Sequence, residues 1–362
     1  MIKRLVKKYL SRNYKKQGFF DGYGMLWFNS AIEEYKASDL PSSKKKWALK
    51  RGFYPFRIEQ YGLTDENYKE FLSDKEYKRL YPINNIYRRW IDDKLTMKYV
   101  LKPFDEYMPR YYYHLIKERT CHVMKLMDCP DECAAEYEGI LKLLRDVGVL
   151  AVKPTGGTYG IGFCKLEYKN KKYVVNGEAK TKEEMISFLK NLRDHIIIEY
   201  VRMHEKIASL NPTSLNTIRV MLINENGNNP IIASSFMRIG TVASGIVDNS
   251  AQGGMFCKVD VDSGRFYDGE KNIDHVVTPS PVHPDTGVPI EGTIPHWETV
   301  KTKLIEISKY IPQLEWMGFD VAITETGFNI IEINSHQGLH RYHTYPQEIK
   351  DYFKRKSQLK NK

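Results

Sequence analysis

No stretch of this chain of 362 residues approaches the roughly 18 consecutive apolar residues that a membrane span requires, so a soluble globular protein is expected. Cysteine is scarce. Cys121, Cys129, Cys133, Cys164 and Cys257 are scattered and odd in number, which argues against a disulfide framework. Cys129 and Cys133 fall one helical turn apart, but no second Cys or His pair completes a zinc site, and reduced structural thiols are expected. There is no internal repeat and no low-complexity tract, while the length allows two or three domains or lobes. The segment Met1–Leu10 has neither an apolar h-region nor a small-residue cleavage site. A cytoplasmic address is therefore expected.

Positive charge is plentiful, with a formal excess of +10. Lys3, Arg4, Lys7, Lys8, Arg12, Lys15 and Lys16 crowd the start, Lys44, Lys45 and Lys46 form a second cluster, and Lys354, Arg355, Lys356, Lys360 and Lys362 a third. Such clusters attract anions of many kinds; at the C-terminal end a solvated, fraying helix explains them as well. In the first helix Ile2, Leu5, Val6, Tyr9 and Leu10 share one face, which suits docking on the rest of the protein or on a membrane surface.

Residues 1 to about 130 read as helical, with breaks at Pro41, Pro55, Pro82 and Pro103. An amphipathic helix over 134–148 leads into strands at 149–154, 163–168 and 172–175, a helix at 182–192 and a strand at 195–201, giving a small α+β lobe over about 149–201. Strands follow at 216–223, 230–238 and around 259–266, then a helix at 296–310. Residues 268–295, with Pro279, Pro281, Pro284, Pro289 and Pro295, read as a surface loop.

Three segments carry candidate chemistry. Lys153 ends a buried-type strand and precedes Gly156, Gly157, Gly160 and Gly162; such a loop lets backbone amides approach phosphate oxygens closely. It is neither a Walker A loop nor a dinucleotide fingerprint, and a ligand-free hairpin explains it equally. Ile196–Val201 is an apolar strand ending Glu199-Tyr200-Val201, with Glu205 just beyond. Its backbone suits a purine edge, and Glu205 a ribose hydroxyl; by itself it is a strand end. Last, 318–324 and 328–334 flank the Glu325-Thr326-Gly327 turn and read as an antiparallel hairpin. Asp320 lies on its first strand; Glu332 and Asn334 share a face of the second. Three oxygen ligands without nearby sulfur suit Mg²⁺, whereas alternation alone also puts polar residues on one face of an exposed strand.

Taken in order, Asp93-Lys94, the strand Lys153 before a Gly-rich loop, Glu199-Tyr200-Val201 with Glu205, and the late Asp320, Glu332-Ile333-Asn334 resemble the ATP-grasp superfamily. Asn211–Val220, Asp248–Gly254 and the 320–334 hairpin are similar to its sugar-transfer-associated family, whose genes neighbour those for cell-surface polysaccharides such as capsule. The resemblance covers about residues 80–345. It implies an α+β fold in which two lobes clasp ATP, with a helical region over 1–92 and an ATP-grasp domain over 93–362 whose C-terminal catalytic lobe spans about 202–350.

The resemblance also assigns roles. Lys94 or Lys98, together with Lys153, would hold the α- and β-phosphates, and the loop with Gly156, Gly157, Thr158 and Gly160 would close over the outer phosphates. Tyr159 departs from the small residues frequent there. Glu199, Tyr200 and Val201 would flank the adenine, Glu205 the ribose, and Asp320, Glu332 and Asn334 would hold Mg²⁺. Arg219 would stabilise the transferred phosphoryl group. Apart from the resemblance, the imidazole-rich tail itself suggests that His336, His340 or Arg341 orients the acceptor, His336 and Arg341 foremost, with packing residues as the alternative.

The expected activity is an ATP-dependent, ADP-forming carboxylate–amine ligase working through an acyl phosphate on small-molecule or glycan-linked substrates, with peripheral association to membrane-bound glycan assembly machinery. A phosphotransferase acting on a hydroxyl is the competing enzyme. A basic module that binds nucleic acid or membrane through segments such as Phe53–Arg57 and Tyr87–Trp90 is the competing non-enzyme; core packing explains those aromatics more often.

Overall fold

A computed structural model of the chain describes residues 2–117, 121–157, 160–248, 253–273, 276–339 and 341–358. Proline, glycine and capping residues divide the first hundred residues into short helices: α1 (Ile2–Lys16), α2 (Tyr23–Ala37), α3 (Ser42–Lys50), α4 (Arg57–Tyr61), α5 (Asp74–Arg79), α6 (Arg89–Asp92) and α7 (Lys94–Val100). Helix α5 starts at a capping box in which the Ser73 hydroxyl accepts from the Glu76 amide and the Glu76 carboxylate accepts from the Ser73 amide. Asp93 caps α7 by accepting from the Thr96 N–H.

Two antiparallel sheets follow. The first takes β1 (Tyr111–Lys117), β2 (Cys121–Lys125), β3 (Val149–Pro154), β4 (Cys164–Lys169), β5 (Lys172–Val175), β6 (Glu178–Lys180) and β7 (His195–Glu199) in the order β2-β1-β7-β3-β4-β5-β6, with α8 (Tyr137–Val147) and α9 (Lys182–Asn191) inserted. One face buries Leu115, Leu150, Val152, Leu166 and Ile197 against Ile140, Leu141 and Leu144 of α8 and Met185 and Leu189 of α9. The other gathers Tyr111, Ala151, Ile196 and Ile198.

After α10 (Glu205–Ala208), the second sheet uses β8 (Thr217–Ile223), β9 (Ile231–Ile239), β10 (Met255–Val259), β11 (Arg265–Ile273), β12 (Val276–Pro279), β13 (Gly292–Thr293), β14 (Trp316–Thr324) and β15 (Gly327–Asn334). Its order is β12-β11-β10-β9-β8-β14-β15, with β13 beside β11. Ile218, Val220, Phe319, Val321 and Ile330 face Val300, Leu304 and Ile307 of α11 (Trp297–Tyr310). On the opposite face Met221, Ile223 and Trp316 meet Ile349, Tyr352 and Phe353 of α12 (Gln347–Gln358), together with Leu72 and Leu80 beside α5.

Two stretches differ from the sequence expectation. The chain is not helical to about 130: the run Tyr111-Tyr112-Tyr113-His114-Leu115-Ile116 forms β1, which lies between β2 and β7, because aromatic and branched side chains fit a half-buried pleat. Residues 268–295 are not a loop throughout. They hold the end of β11, β12 and β13, and Pro279 is tolerated because β12 is an edge strand with no neighbour awaiting its missing N–H.

Of the two aromatic–basic segments, Phe53–Arg57 packs inward, whereas Tyr87 is 40% exposed. Phe53 and Tyr54 are buried, and Arg57 pairs with buried Asp74 at 2.9 Å. Helix α1 leaves Tyr9 70% exposed and docks through Tyr14, against Phe19, Trp27 and Phe28. No described helix is long and apolar enough to cross a membrane.

Candidate active site

Arg219 on β8, Asp320 on β14 and Glu332 on β15 stand in register across three adjacent strands. All three project from the face opposite α11. Arg219 donates from Nε and Nη2 to Asp320 Oδ1 and Oδ2 at 2.5 and 3.0 Å, and Arg238 on β9 donates from Nη2 to Oδ2 at 2.8 Å. Burial by itself would raise the Asp320 carboxyl, but Arg219 and then Arg238 hold it well below the usual carboxylate range. Arg238 also donates to the Thr217 hydroxyl at 2.7 Å and lies 3.5 Å from Asp248, whose carboxylate accepts from the Thr217 N–H at 3.0 Å. Burial pushes Asp248 up against the pull of Arg238.

The placement of Glu332 and Asn334 depends on a register shift. Asp320 pairs with Glu332 while Val321 pairs with Ile330, so Ile331 is an extra residue in β15. Up to that point Phe328 and Ile330 face the core; beyond it Ile333 does, and Glu332 and Asn334 turn to the opposite side. Asn334 Nδ2 then donates to Asp320 Oδ2 at 3.3 Å and to Glu332 Oε1 at 3.2 Å. Gly318 makes room for this corner. A Cβ there would meet Gln337 Oε1 at 1.9 Å, and that oxygen accepts from Arg219 Nη1 at 3.3 Å.

Opposite this row stand two lysines. Lys94 opens α7, donates its N–H to the Thr155 carbonyl at 2.8 Å, and brings its ammonium to 3.3 Å from Glu332 Oε2. It bridges the end of β3 to β15. Lys153 lies two residues along β3 from Ala151, on the face that carries Tyr111 and Ile198. Loss of hydration and then the like charge of Lys94 lower its ammonium to about 8, against the pull of Glu332 and Asp320. Lys98 is placed elsewhere: its buried ammonium is held by Asp105, by Asp128 at 3.0 Å and by the Pro109 carbonyl at 3.0 Å.

Between the lysines and the end of β7 the first sheet offers an apolar wall of Ala151 and Ile198, with Phe163, Met127 and Tyr200 packed against it. Val201 is buried beside it, and the Glu199 carboxylate accepts from the Arg110 N–H at 3.1 Å. Glu205 is exposed at the start of α10, where its N–H donates to Glu325 Oε1 at 2.7 Å, so the β14–β15 turn docks here.

The Gly-rich segment leans from the first sheet onto the second. Gly160 has φ +69° and sits so close to Val247 that a Cβ would lie 2.8 Å from Val247 Cγ1. Only glycine meets both conditions without strain. Gly156 and Gly157 are described, with open space around Gly156. Thr158, Tyr159 and His340 lie outside the described residues.

The tail residues are placed differently from one another. His336 is turned away from Arg219 into an aromatic box, stacked on Tyr77 at 4.6 Å with Tyr23, Tyr81 and Trp316 at its edges. Both ring nitrogens are buried without a hydrogen-bond partner, and burial, aided by Lys78, lowers the imidazole to about 3. Arg341 pairs with buried Glu270 on β11. Gln337, not His336, faces the arginine, because adjacent residues of an extended chain point to opposite sides. Sequence reasoning gave no role to Arg238 or Gln337, and quoted Asp248 only as the start of a family-like segment. The available signal was a lone Arg in the otherwise uncharged strand Ile231–Ile239.

Among the described residues no three His, Cys, Asp or Glu side chains gather around one point. The candidate metal set is two carboxylates and an amide. Its donor chemistry fits a hard cation: Asp320 and Glu332 converge on one amide at 3.3 and 3.2 Å, and a half-turn of that amide would present Asn334 Oδ1 in place of Nδ2. Glu332 is the most open of the carboxylates, at 28% side-chain exposure against 1% for Asp320.

A family model described as sugar-transfer associated ATP-grasp matches residues 73–345. No curated protein matches the sequence. Among solved structures the chain is similar to the ATP-grasp ligase PsnB complexed with a minimal precursor, with 12% identity over 75% of this chain and 63% of that one and a TM-score of 0.41. It is likewise similar to D-alanyl-alanine synthetase A from Vibrio cholerae, with 13% identity over 74% and 64% and a TM-score of 0.41. For D-alanine–D-alanine ligase from Bacillus anthracis the values are 12%, 75%, 69% and 0.38. The chain thus spans less than two thirds of the length of the first two.

Proposed function

Because the chain belongs to the sugar-transfer associated ATP-grasp family, we propose that it is an ATP-dependent ligase that joins a carboxylate to an amine through an acyl phosphate. The observation that carries this reading is the row Arg219–Asp320–Glu332 on the second sheet, with Lys94 3.3 Å from Glu332 and Lys153 at the end of β3 on the first. Such a concentration of cations beside carboxylates suits a metal-bound polyphosphate. Lys153 and Lys94 supply positive charge from the first sheet and from α7, the apolar wall at Ala151 and Ile198 accepts a base, and the segment leaning on Val247 excludes water.

ATP is the first substrate. A carboxylate oxygen of the acid attacks the γ-phosphorus, the bond to the β-bridging oxygen breaks, and ADP leaves with that electron pair. Arg219 and Arg238, held in place by Asp320, present guanidinium donors to the oxygens on which charge accumulates. Mg²⁺ held by Glu332 and Asn334, with Asp320 behind them, would neutralise phosphate charge. An amine then attacks the acyl carbon, phosphate departs, and the amine nitrogen loses a proton. Arg238 belongs to this machinery together with Arg219. The acid and amine are read as small molecules or glycan-linked groups; the family description supports this reading only as far as an association with sugar transfer.

The test is product analysis with a panel of amino acids and amino or uronic sugars. ADP and inorganic phosphate released only when an acid and an amine are both present, and loss of that release in Glu332→Gln, is the expected result. A stable phosphorylated product formed from a single acceptor would replace ligation by phosphotransfer.

A further inference from the structure

Away from the cleft, α3, α5, α12 and the segment after α4 enclose a cavity of about 370 Å³ lined by Lys50, Arg51, Lys69, Lys75, Arg79 and Lys354, with Glu76 as the carboxylate among its lining residues. Arg51 pairs through Nη2 with Asp65, and Lys354 lies 3.3 Å from Glu76. Among the described residues, Lys50, Lys69, Lys75 and Arg79 have no carboxylate at ion-pair distance.

Solvated lysines on a surface are commonplace, but two of these cations are not free to swing into water. Lys75 lies over the Trp27 ring of α2 at 5.2 Å and Arg79 over Phe19, in the α1–α2 connection, at 5.4 Å, both buried aromatics. Burial and then the neighbouring Arg79 lower the Lys75 ammonium, burial lowers the Arg79 guanidinium, and Arg79 Nε is buried without an acceptor. Two cations held side by side in a concavity against their mutual repulsion, with Lys50 and Lys69 at its rim, form a site prepared for an anion of more than one charge. Donors arriving from separate elements suit the tetrahedrally arranged oxygens of a phosphate better than one planar carboxylate.

We propose that this cavity is a second anion site, separate from the ATP cleft, that takes a phosphate monoester or diphosphate group. It shares no lining residue with the cleft. Its helix α5 nonetheless carries Tyr77, whose hydroxyl donates to the Gln337 carbonyl at 3.0 Å, so the ligand would sit on the element that braces Gln337 and, through it, Arg219.

Sodium pyrophosphate, titrated calorimetrically into the full chain without divalent metal, is the probe, and Lys153→Met removes the cleft as a competing site. Binding should persist in Lys153→Met and weaken about tenfold or more, one charge-assisted contact at the least, when Lys75→Gln and Arg79→Gln are added. Should that pair fail to fold, Lys50→Gln with Lys69→Gln, both exposed at the rim, serves the same purpose. The proposal is overturned by absent binding, by binding lost in Lys153→Met but kept in both cavity pairs, or by equal binding of sulfate at matched ionic strength. Sedimentation with phosphatidic-acid vesicles names the source: pelleting that the cavity pairs abolish indicates a lipid-borne phosphate, and intact pyrophosphate binding without pelleting indicates a soluble one.

Discussion

At the scale of the residue, Lys153 carries the clearest pH signature. Its ammonium stands at about 8 in the protein, against an ordinary value near 10.4. Between those values the folded chain binds fewer protons than the unfolded one, so this lysine opposes folding below pH 8 and its cost is relieved as pH rises through the window. A polyphosphate beside it acts the other way and restores the charged form. Nucleotide binding at pH 8.5 should therefore take up close to one proton, read as a dependence of calorimetric heat on buffer ionisation enthalpy, and affinity should fall as pH rises above 8. In Lys153→Met both effects should vanish and affinity should drop by an order of magnitude or more, as for a lost charge-assisted contact. Heat that is identical in all buffers for the natural chain would show that Lys153 does not meet the phosphates.

At the scale of the element, the hairpin β14–β15 is braced by the helical region. Asn84 accepts from the Glu315 and Trp316 amides, each at 2.9 Å, and donates from Nδ2 to the Trp316 carbonyl at 2.6 Å. Asp92 accepts from the Ser335 hydroxyl. Asn84 is 2% exposed, so Asn84→Ala strands buried backbone groups, an effect on the order of 1–3 kcal/mol. The expected outcome is a midpoint in chemical denaturation lowered by that energy divided by the slope, with the slope unchanged; a midpoint equal to the natural chain's would mean that water replaces the amide. Sequence reasoning read this hairpin, its turn and the common face of Glu332 and Asn334 correctly. It did not see the extra residue at Ile331, because a bulge is fixed by which residues the neighbouring strand presents and leaves no trace in alternation.

At the scale of the molecule, the two sheets are joined where Gly160 meets Val247 and where Lys94 links the Thr155 carbonyl to Glu332. A ligand held between them stabilises both sides by mass action, about 2.7 kcal/mol at a hundredfold excess over its dissociation constant. ATP with Mg²⁺ should slow amide hydrogen exchange together in residues 160–163 and 244–248. Slowing confined to one segment would show that nucleotide touches one sheet alone.

Local pattern determined much of this protein: strands β3, β7, β8 and β14, the glycines after Lys153, and the common face of Glu332 and Asn334 are all legible because period-two alternation and turn chemistry are short-range properties. Only the tertiary structure decided which lysine stands beside Glu332. Lys94 and Lys98 lie one turn apart on one helix, and the difference is that Asp105 and Asp128 claim Lys98 while Glu332 lies beside Lys94. It likewise turned His336 into a box of aromatics supplied by residues 23–81 and 316, and set Arg238 beside Asp320 across 82 positions of chain. Charges and rings choose partners by distance in space, and no periodicity along the chain encodes that distance.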